Sequence, residues 1–300
     1  MRFRALAAYF ILLVVLCGAV VASARMLGRQ GAYLAQLYML TPAVAALLTR
    51  QFFYAPRFTD AGLRFGRLKD YIKFWLISLG IVALYFVSYT LFGAITWDLS
   101  GSIFLGRLSE QFAAAGQDMS ASLPPGFTPQ TMLLVYFVGG LTLFNIVPGI
   151  IAGFGEEFGH RGLMFPLLYR IRPWIGIVVG GLIWYAWHLP LALVIPAGQP
   201  APAWQSFLNW VVLAIGSIFT FIYLAYVYVR SGSVFVVSIA HITMNNASMA
   251  LAYFAVVRDQ FLGNLGTVLV MVLVVVVLYS RRELRVFREL LENPVPAGAG

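Results

Sequence analysis

Residues 261–279, FLGNLGTVLVMVLVVVVLY, show what kind of protein this is, because the whole stretch carries no charged side chain. A helix of about 20 apolar residues spans the hydrocarbon core of a bilayer, which is about 30 Å thick. The rest of the chain has the same character: 61% of the 300 residues are hydrophobic and 10% are charged, whereas soluble domains have roughly 45–50% and about 25%. The composition predicts an all-α polytopic membrane protein. It excludes a disordered chain, a soluble two-domain enzyme and a disulfide-stapled secreted protein.

Eight apolar segments are long enough to cross a membrane, which predicts about eight transmembrane helices. Their approximate ranges are 5–24, 31–48, 74–95, 132–153, 174–195, 204–229, 233–254 and 261–279. In the fourth, the apolar character continues to about residue 169, and Pro148 and Gly149 offer a kink, so we expect this segment to bend or re-enter. We predict one integral-membrane domain over 1–292, with a core at about 132–254 and a disordered tail at 293–300.

The distribution of lysine and arginine predicts the orientation of the chain. If the N-terminus is cytosolic, sixteen of the twenty Lys and Arg residues lie in cytosolic segments. The four on the opposite side are Arg25, Arg29, Arg107 and Arg258. Because basic residues mark the cytosolic side, both termini are predicted to be cytosolic, and the net charge of +9 does not require a nucleic-acid partner.

The first segment has a second interpretation. Arg2 and Arg4, the apolar run and Ala22-Ser23-Ala24 resemble a cleavable signal peptide. We favour a retained span, since the apolar run is longer than the 7–15 residues usual in a signal peptide. Cleavage would leave the direction of every later span unchanged, so the charge pattern does not decide between the two.

The remaining segments carry weaker signals. Residues 55–73 mix basic and apolar side chains, which predicts an interfacial helix facing anionic lipid headgroups. Residues 281–292 carry Leu284, Phe287 and Leu291 at helical spacing, and 96–131 form a polar outer loop without evident chemistry. Cys17 is the only cysteine, which excludes an intrachain disulfide and a cysteine-rich metal cluster.

Few ionisable residues lie in the apolar part of the chain, and each is costly to bury, so each suggests a function. They are Glu156, Glu157, His160, Arg161, His188 and His241. On a helix, Glu157 and Arg161 are four residues apart and share a face, where they can form an ion pair. Glu156 projects about 100° away from Glu157 and is free to act as a base. The alternative for this cluster is a pair of carboxylates solvated at a cytosolic helix end.

Two further pairs have the same spacing, Trp184 with His188 and His241 with Asn245. Taken alone, each has a structural alternative: a hydrogen-bonded core histidine for the first pair, an interhelical hydrogen-bond clamp for the second. Together with the glutamates they supply a carboxylate base, imidazoles and an amide donor, which suffice for a hydrolytic site. The sequence contains neither G-x-S-x-G nor HExxH, so the pattern favours an activated water over a covalent nucleophile.

These motifs, in this order on successive apolar segments, resemble the CAAX protease and bacteriocin-processing (CPBP or Abi) family, related to the type II CAAX prenyl endopeptidase. The pattern is Glu156-Glu157-x-x-x-Arg161, then an aromatic-x-x-x-His188, then His241-x-x-x-Asn245. The flanks agree: Gly162, Trp187-His188-Leu189-Pro190-Leu191, and Asp60-x-Gly62-Leu63-Arg64. The motifs cover about 154–246. The resemblance implies an intramembrane endopeptidase (a hydrolase) whose substrate is a membrane-associated or lipid-modified peptide or protein.

The resemblance also implies roles for the matching residues. Glu156, assisted by His188, would activate water, and His241 with Asn245 would stabilise the oxyanion. Glu157 and Arg161 would hold the geometry of the site. Two positions depart from the family: Trp184 stands where phenylalanine is frequent, and should still wall an aromatic pocket, and His160 stands where phenylalanine or tryptophan is common. His160 could perturb the base or add a ligand.

Three alternatives stay open at this point. No cofactor is favoured, but Glu156, His188 and His241 are acceptable zinc ligands, with a fourth position left for water. A non-enzymatic scaffold or immunity protein would keep the polar cluster for packing, and a transporter would use it as a proton relay. The substrate and the oligomeric state do not follow from the sequence.

Overall fold

A computed structural model describes residues 2–114, 117–142, 146–193, 203–288 and 291 of the chain. Within these ranges the regular secondary structure is helical apart from two strands of three residues each. The α-helices are α1 Arg2–Met26, α2 Ala35–Phe52, α3 Leu68–Leu91, α4 Ser102–Ala114, α5 Pro129–Leu141, α6 Ile146–Gly159, α7 Phe165–Tyr169, α8 Gly180–His188, α9 Ala203–Ser231, α10 Val234–Ala252 and α11 Gln260–Ser280. The strands are β1 Ile95–Trp97 and β2 Ala255–Val257.

Shorter helical segments connect these elements. Two are π-helices, His160–Met164 and Ile175–Val179. Three are 3₁₀-helices, Gly28–Leu34, Leu189–Leu193 and Glu283–Arg288.

Five helices of the described residues are long and apolar enough to cross a membrane. They are Phe3–Met26, Leu68–Leu91, Trp204–Ser231, Val234–Ala252 and Gln260–Ser280. These coincide with five of the eight predicted segments, so the predicted count of about eight crossings is not confirmed. Of the other three, α2 in the region 31–48 is more polar, and the segment around 132–153 is divided between α5 and α6. The third is continuous, but its apolar helix, Ile175–Leu191, is shorter than the five.

The fourth predicted segment is two helices rather than one kinked helix. Helix α5 ends at Leu141 and α6 begins at Ile146, so the interruption precedes Pro148. Pro148 lies in the first turn of α6, where a backbone N–H has no intrahelical acceptor and its loss costs nothing. Helix α6, which carries the two glutamates, packs against both α2 and α10.

Helix α6 packs very closely on α2, and a glycine makes this possible. A Cβ atom on Gly159 would lie only 2.4–2.6 Å from the Cβ, carbonyl carbon and carbonyl oxygen of Pro42. A side chain at this position would therefore push the two backbones apart. The close approach fixes the height and rotation of α6, and with them the directions of Glu156 and Glu157.

The predicted outer loop, 96–131, is more ordered than its polar sequence suggested, because it contains α4. Asp98 accepts a hydrogen bond from the backbone N–H of Ile103 at 2.8 Å, in the first turn of α4. Hydrogen bonds from the side chain of Ser100 and from this N–H lower the pKa of Asp98. Strands β1 and β2 pair antiparallel, with Ile95 opposite Val257, and so join the end of α3 to the start of α11.

The predicted interfacial helix at 55–73 is wrong over 55–67, and the rest of the range is the start of α3. Turns and extended backbone continue as far as Arg67, and α3 begins at Leu68. Gly62 and Gly66 have φ angles of +69° and +76°, which lie in the left-handed region and break a right-handed helix. Backbone groups of this loop bond to other elements instead: the Gly62 carbonyl accepts from the backbone N–H of Val234 at 2.9 Å.

The C-terminal segment contains a further short helix after α11. Its described part is the 3₁₀-helix Glu283–Arg288, in which Phe287 is buried and Leu284 is half-buried. Arg282, with a φ angle of 60°, separates it from α11. Leu291 is exposed, and the tail at 293–300 lies outside the described residues.

Candidate active site

Glu157 accepts two bonds in the centre of the site. The Nη1 atom of Arg161 donates to Oε1 of Glu157 at 2.9 Å, and both side chains are completely buried. Nδ1 of His241 lies 2.7 Å from the same oxygen. The guanidinium also lies 4.9 Å from the ring centroid of Trp184 and 4.3 Å from that of Phe221. The Arg161 charge is therefore balanced by Glu157 and covered by aromatic faces.

Glu156 faces a different set of partners. The side chain is 1% exposed, and Oε1 accepts a hydrogen bond from the indole N–H of Trp184. Nε2 of His188 lies 3.7 Å from the same oxygen. Nδ1 of His188 lies 2.8 Å from the carbonyl oxygen of Trp184, to which it can bond only as a donor. Nε2 is therefore the ring nitrogen that faces Glu156.

The helix changes its geometry directly after the two glutamates. In the π-helix His160–Met164, the N–H of Phe165 donates to the carbonyl of His160, five residues earlier. Such single-turn widenings inside α-helices are frequent at functional sites. His160 is buried, its Nδ1 lies 3.0 Å from the carbonyl oxygen of Glu156, and its ring lies 5.2 Å from that of Trp187. His160 thus supports the backbone of Glu156 and packs against α8.

Helix α2 holds α8 in place through residues that the sequence motifs did not include. The hydroxyl of Tyr38 donates to the carbonyl of Trp187 at 2.6 Å, and the two rings stack at 5.4 Å. The indole N–H of Trp187 donates to Oγ1 of Thr41 at 3.3 Å. Because His188 follows Trp187 directly, these bonds orient the imidazole. The polar side chains of Tyr38 and Thr41 in a largely apolar segment were the only sign of this role in the sequence.

Asn245 reaches the site from the side of a cavity. It follows His241 by one turn of α10, and its side chain is exposed. Asn245 and Glu156 line the same cavity, which has a volume of about 350 Å³. The other lining residues are Gln36, Met39, Gly149, Ala152, Gly153, Ile242 and Asn246. Gln36 and Asn246 add two carboxamides that the sequence analysis did not select.

A metal ion would meet a different ligand set from the one predicted. Glu156, Glu157 and His241 each offer a ligand atom within 4.8 Å of the others. The predicted set contained His188 in place of Glu157. Carboxylate and imidazole are acceptable zinc ligands, but Oε1 of Glu157 already accepts from Arg161. The positive charge of this guanidinium opposes a divalent cation at that oxygen, so the residues fit zinc poorly.

Residues 138–247 match the family described as Rce1-like, Type II CAAX prenyl endopeptidase. This is an Rce1-like segment. The match includes all of the motif residues from Glu156 to Asn245, and it confirms the resemblance inferred from them. No curated protein matches the chain.

The Rce1-like segment and the apolar helices make the chain an integral membrane protein, and the family is one of CAAX-type proteases. The match implies a hydrolase at the level of the family. The helices α1 to α4 and α11 lie outside the matched residues, although α2 contributes directly to the site.

Proposed function

We propose that the chain is an intramembrane endopeptidase in which Glu156 activates a water molecule for attack on a peptide carbonyl. One observation carries this proposal: a buried carboxylate stands next to the ring nitrogen of His188 and lines the same cavity as Asn245. A carboxylate at this position can accept a proton from water, and the imidazole beside it can take up and return that proton.

The two adjacent carboxylates have separate tasks in this proposal. Glu157 is occupied by Arg161 and His241, so it holds the geometry rather than accepting a proton from water. Glu156 contacts Trp184 and His188 but no cation of the described part of the chain at hydrogen-bond distance. Environments that differ in this way commonly distinguish the base from the supporting group.

The oxyanion formed by the attack needs donors, and Asn245 supplies one from its carboxamide. His241 is the second candidate. Its Nδ1 is engaged with Glu157, so only Nε2 can point to substrate. Donation from Nε2 requires both ring nitrogens to carry a proton, in which case His241 forms an ion pair with Glu157. The site would then stabilise the oxyanion with an amide and an imidazolium.

The substrate that we propose is a membrane-associated or lipid-modified peptide or protein. A cavity of about 420 Å³ supports a lipid-modified substrate, because apolar side chains of α1 and α8 line most of it. Trp187 belongs to its wall, and the next residue is His188. An apolar group held there would lie beside the candidate catalytic residues.

We further propose the predicted topology: one domain over 1–292 with both termini in the cytosol. Two contacts support it, because each joins segments that the charge pattern assigns to the cytosol. Arg50 donates to the carbonyl of Gly162, and Ser233 donates to that of Arg64. On the opposite side, β1 pairs with β2.

The proposal is tested by comparing membranes that contain the wild-type chain with membranes that contain Glu156→Gln. Mass spectrometry of protein C-termini should reveal cleaved products only with the wild type. Glu110→Gln provides a matched control, since Glu110 is exposed on α4, and it should give the wild-type pattern. Equal cleavage by the wild type and Glu156→Gln would refute a catalytic role for this carboxylate.

A zinc-dependent protease is the second candidate, supported by the close approach of Glu156, Glu157 and His241. The measurement is the metal content of the purified protein, paired with activity before and after chelation. One zinc per chain, whose removal abolishes cleavage and whose return restores it, would favour this candidate over the metal-free proposal.

A further inference from the structure

A second buried charge cluster lies next to the candidate active site, outside the Rce1-like segment. Arg50, at the end of α2, is 2% exposed, and its Nη1 lies 2.7 Å from Oδ1 of Asp60. The hydroxyl of Tyr54 donates to Oδ2 of the same carboxylate at 2.5 Å. The guanidinium also donates to two carbonyl oxygens, those of Arg57 and Gly162.

The bond to Gly162 answers a requirement that the sequence creates. In an α-helix the carbonyl of Gly162 would accept from the N–H of residue 166, which is a proline and has none. The preceding donor, Phe165, bonds to His160 instead. A buried carbonyl needs a donor, and Nη2 of Arg50 supplies one from a position 112 residues earlier in the chain.

The bond also reaches the candidate site through the backbone. Gly162 follows Arg161, whose guanidinium holds Glu157 and through it His241. Glycine at 162 keeps this contact short, because a Cβ there would lie 3.2 Å from the carbonyl oxygen of Ala61. The loop that carries Asp60 is therefore packed directly against the π-helix.

We propose that Arg50 is a positioning residue of the candidate active site. It fixes the carbonyl of Gly162, and so the π-helix that aims Arg161 and Glu157. This inference rests on the proposed endopeptidase function. Asp60 and Tyr54 keep the guanidinium in place. Burial, followed by the hydrogen bond to Asp60, raises the pKa of Tyr54 to about 12, so its hydroxyl stays a donor at neutral pH.

The choice of arginine follows from the number and direction of its bonds. The guanidinium is planar and offers several N–H groups in a fixed fork, so it can serve a carboxylate and two carbonyls together. The ammonium of lysine is a compact point charge, which can pair with Asp60 but cannot span to Gly162 at the same time. Arg50→Lys therefore removes the positioning bond and keeps the buried charge compensated.

The test measures kcat and KM of Arg50→Lys on the folded fraction, with the same substitution at Arg107, an exposed residue of α4, as the control. We expect kcat to fall by about 10²-fold, the cost of misplacing a catalytic group by about 1 Å. KM should stay within about twofold. Arg107→Lys should match the wild type. An unchanged kcat in Arg50→Lys would overturn the proposal.

Rescue distinguishes positioning from general support of the fold. Pro166→Ala restores an N–H four residues after Gly162, the spacing at which an α-helical carbonyl accepts. The double variant Arg50→Lys with Pro166→Ala should recover at least tenfold of the lost kcat. If it is no faster than Arg50→Lys, the Gly162 carbonyl is not the route by which Arg50 acts, and the proposal is wrong.

Hydrogen–deuterium exchange gives a readout that does not need activity. Exchange in residues 160–169 should be faster in Arg50→Lys than in the wild type, and should slow again in the double variant. Unchanged exchange there would overturn the positioning role even if the enzyme is active. A wild-type chain without activity, but with the expected exchange pattern, would refute the endopeptidase proposal and leave the Arg50–Gly162 link intact.

Discussion

Removal of the Arg161 guanidinium would leave the Glu157 carboxylate buried beside one imidazole. Both side chains of the pair are 0% exposed, so solvent cannot replace the lost partner. Truncation of one member of a buried ion pair costs roughly 3–5 kcal/mol. The lost contact with the rings of Trp184 and Phe221 adds about 0.5–2 kcal/mol. We therefore expect Arg161→Met to destabilise the protein by at least about 3 kcal/mol.

The double variant provides the internal control. Arg161→Met with Glu157→Gln removes both charges, and neutral replacement of a whole buried pair is often close to neutral in stability. The double variant should therefore be more stable than Arg161→Met alone, although the His241 contact changes as well. The free energy of unfolding in mixed detergent micelles, measured by titration with a denaturing detergent, is the assay.

Two outcomes would refute this reasoning. In the first, Arg161→Met lies within about 1 kcal/mol of the wild type, the range of a solvent-exposed ion pair, and raises KM only. Arg161 would then contact substrate rather than support Glu157. Equal loss of stability in the single and double variants would show that packing on the aromatic rings, and not charge compensation, is the main contribution of Arg161.

Three further predictions concern the oxyanion donor, the helix contact and the metal. Asn245→Ala should lower turnover by about 10²–10³-fold and leave residual activity; Asn245→Asp should be slower still, and near wild-type turnover in that variant would contradict the donor role. Gly159→Ala should lower thermal stability and activity, because its Cβ would lie 2.4–2.6 Å from Pro42, whereas Gly80→Ala, with no neighbour within 4 Å, should not. Chelation of metal ions should leave the rate of substrate cleavage unchanged; full loss of activity, restored by zinc, would contradict the metal-free mechanism.

The sequence predicted the contacts that depend on local geometry. Glu157 and Arg161 are four residues apart in α6 and the π-helix that follows, so their pairing needed only a helical backbone. Long apolar runs such as 261–279 likewise formed the expected helices. In these cases the residues within a few helical turns are sufficient to predict the structure.

Other features depend on packing between distant segments. His241 approaches Glu157, 84 residues away, and this partner could not be read from spacing. Hydrophobicity did not reveal the interruption before Pro148, since apolar residues continue through it. Residues 55–67 were predicted to be helical because they mix basic and apolar side chains, but their backbone groups bond to residues of α2 and α10.

The contact between Gly159 and Pro42 has a consequence for how this protein can be taken apart or recombined. The family match begins at residue 138, long after the end of α2. Helix α6 nevertheless packs closely on Pro42 of α2, and Tyr38 and Thr41 of α2 orient α8. The matched segment therefore depends on α2 for its packing. A chimera that exchanges residues 138–247 between relatives should retain activity only when α2 is inherited from the same parent.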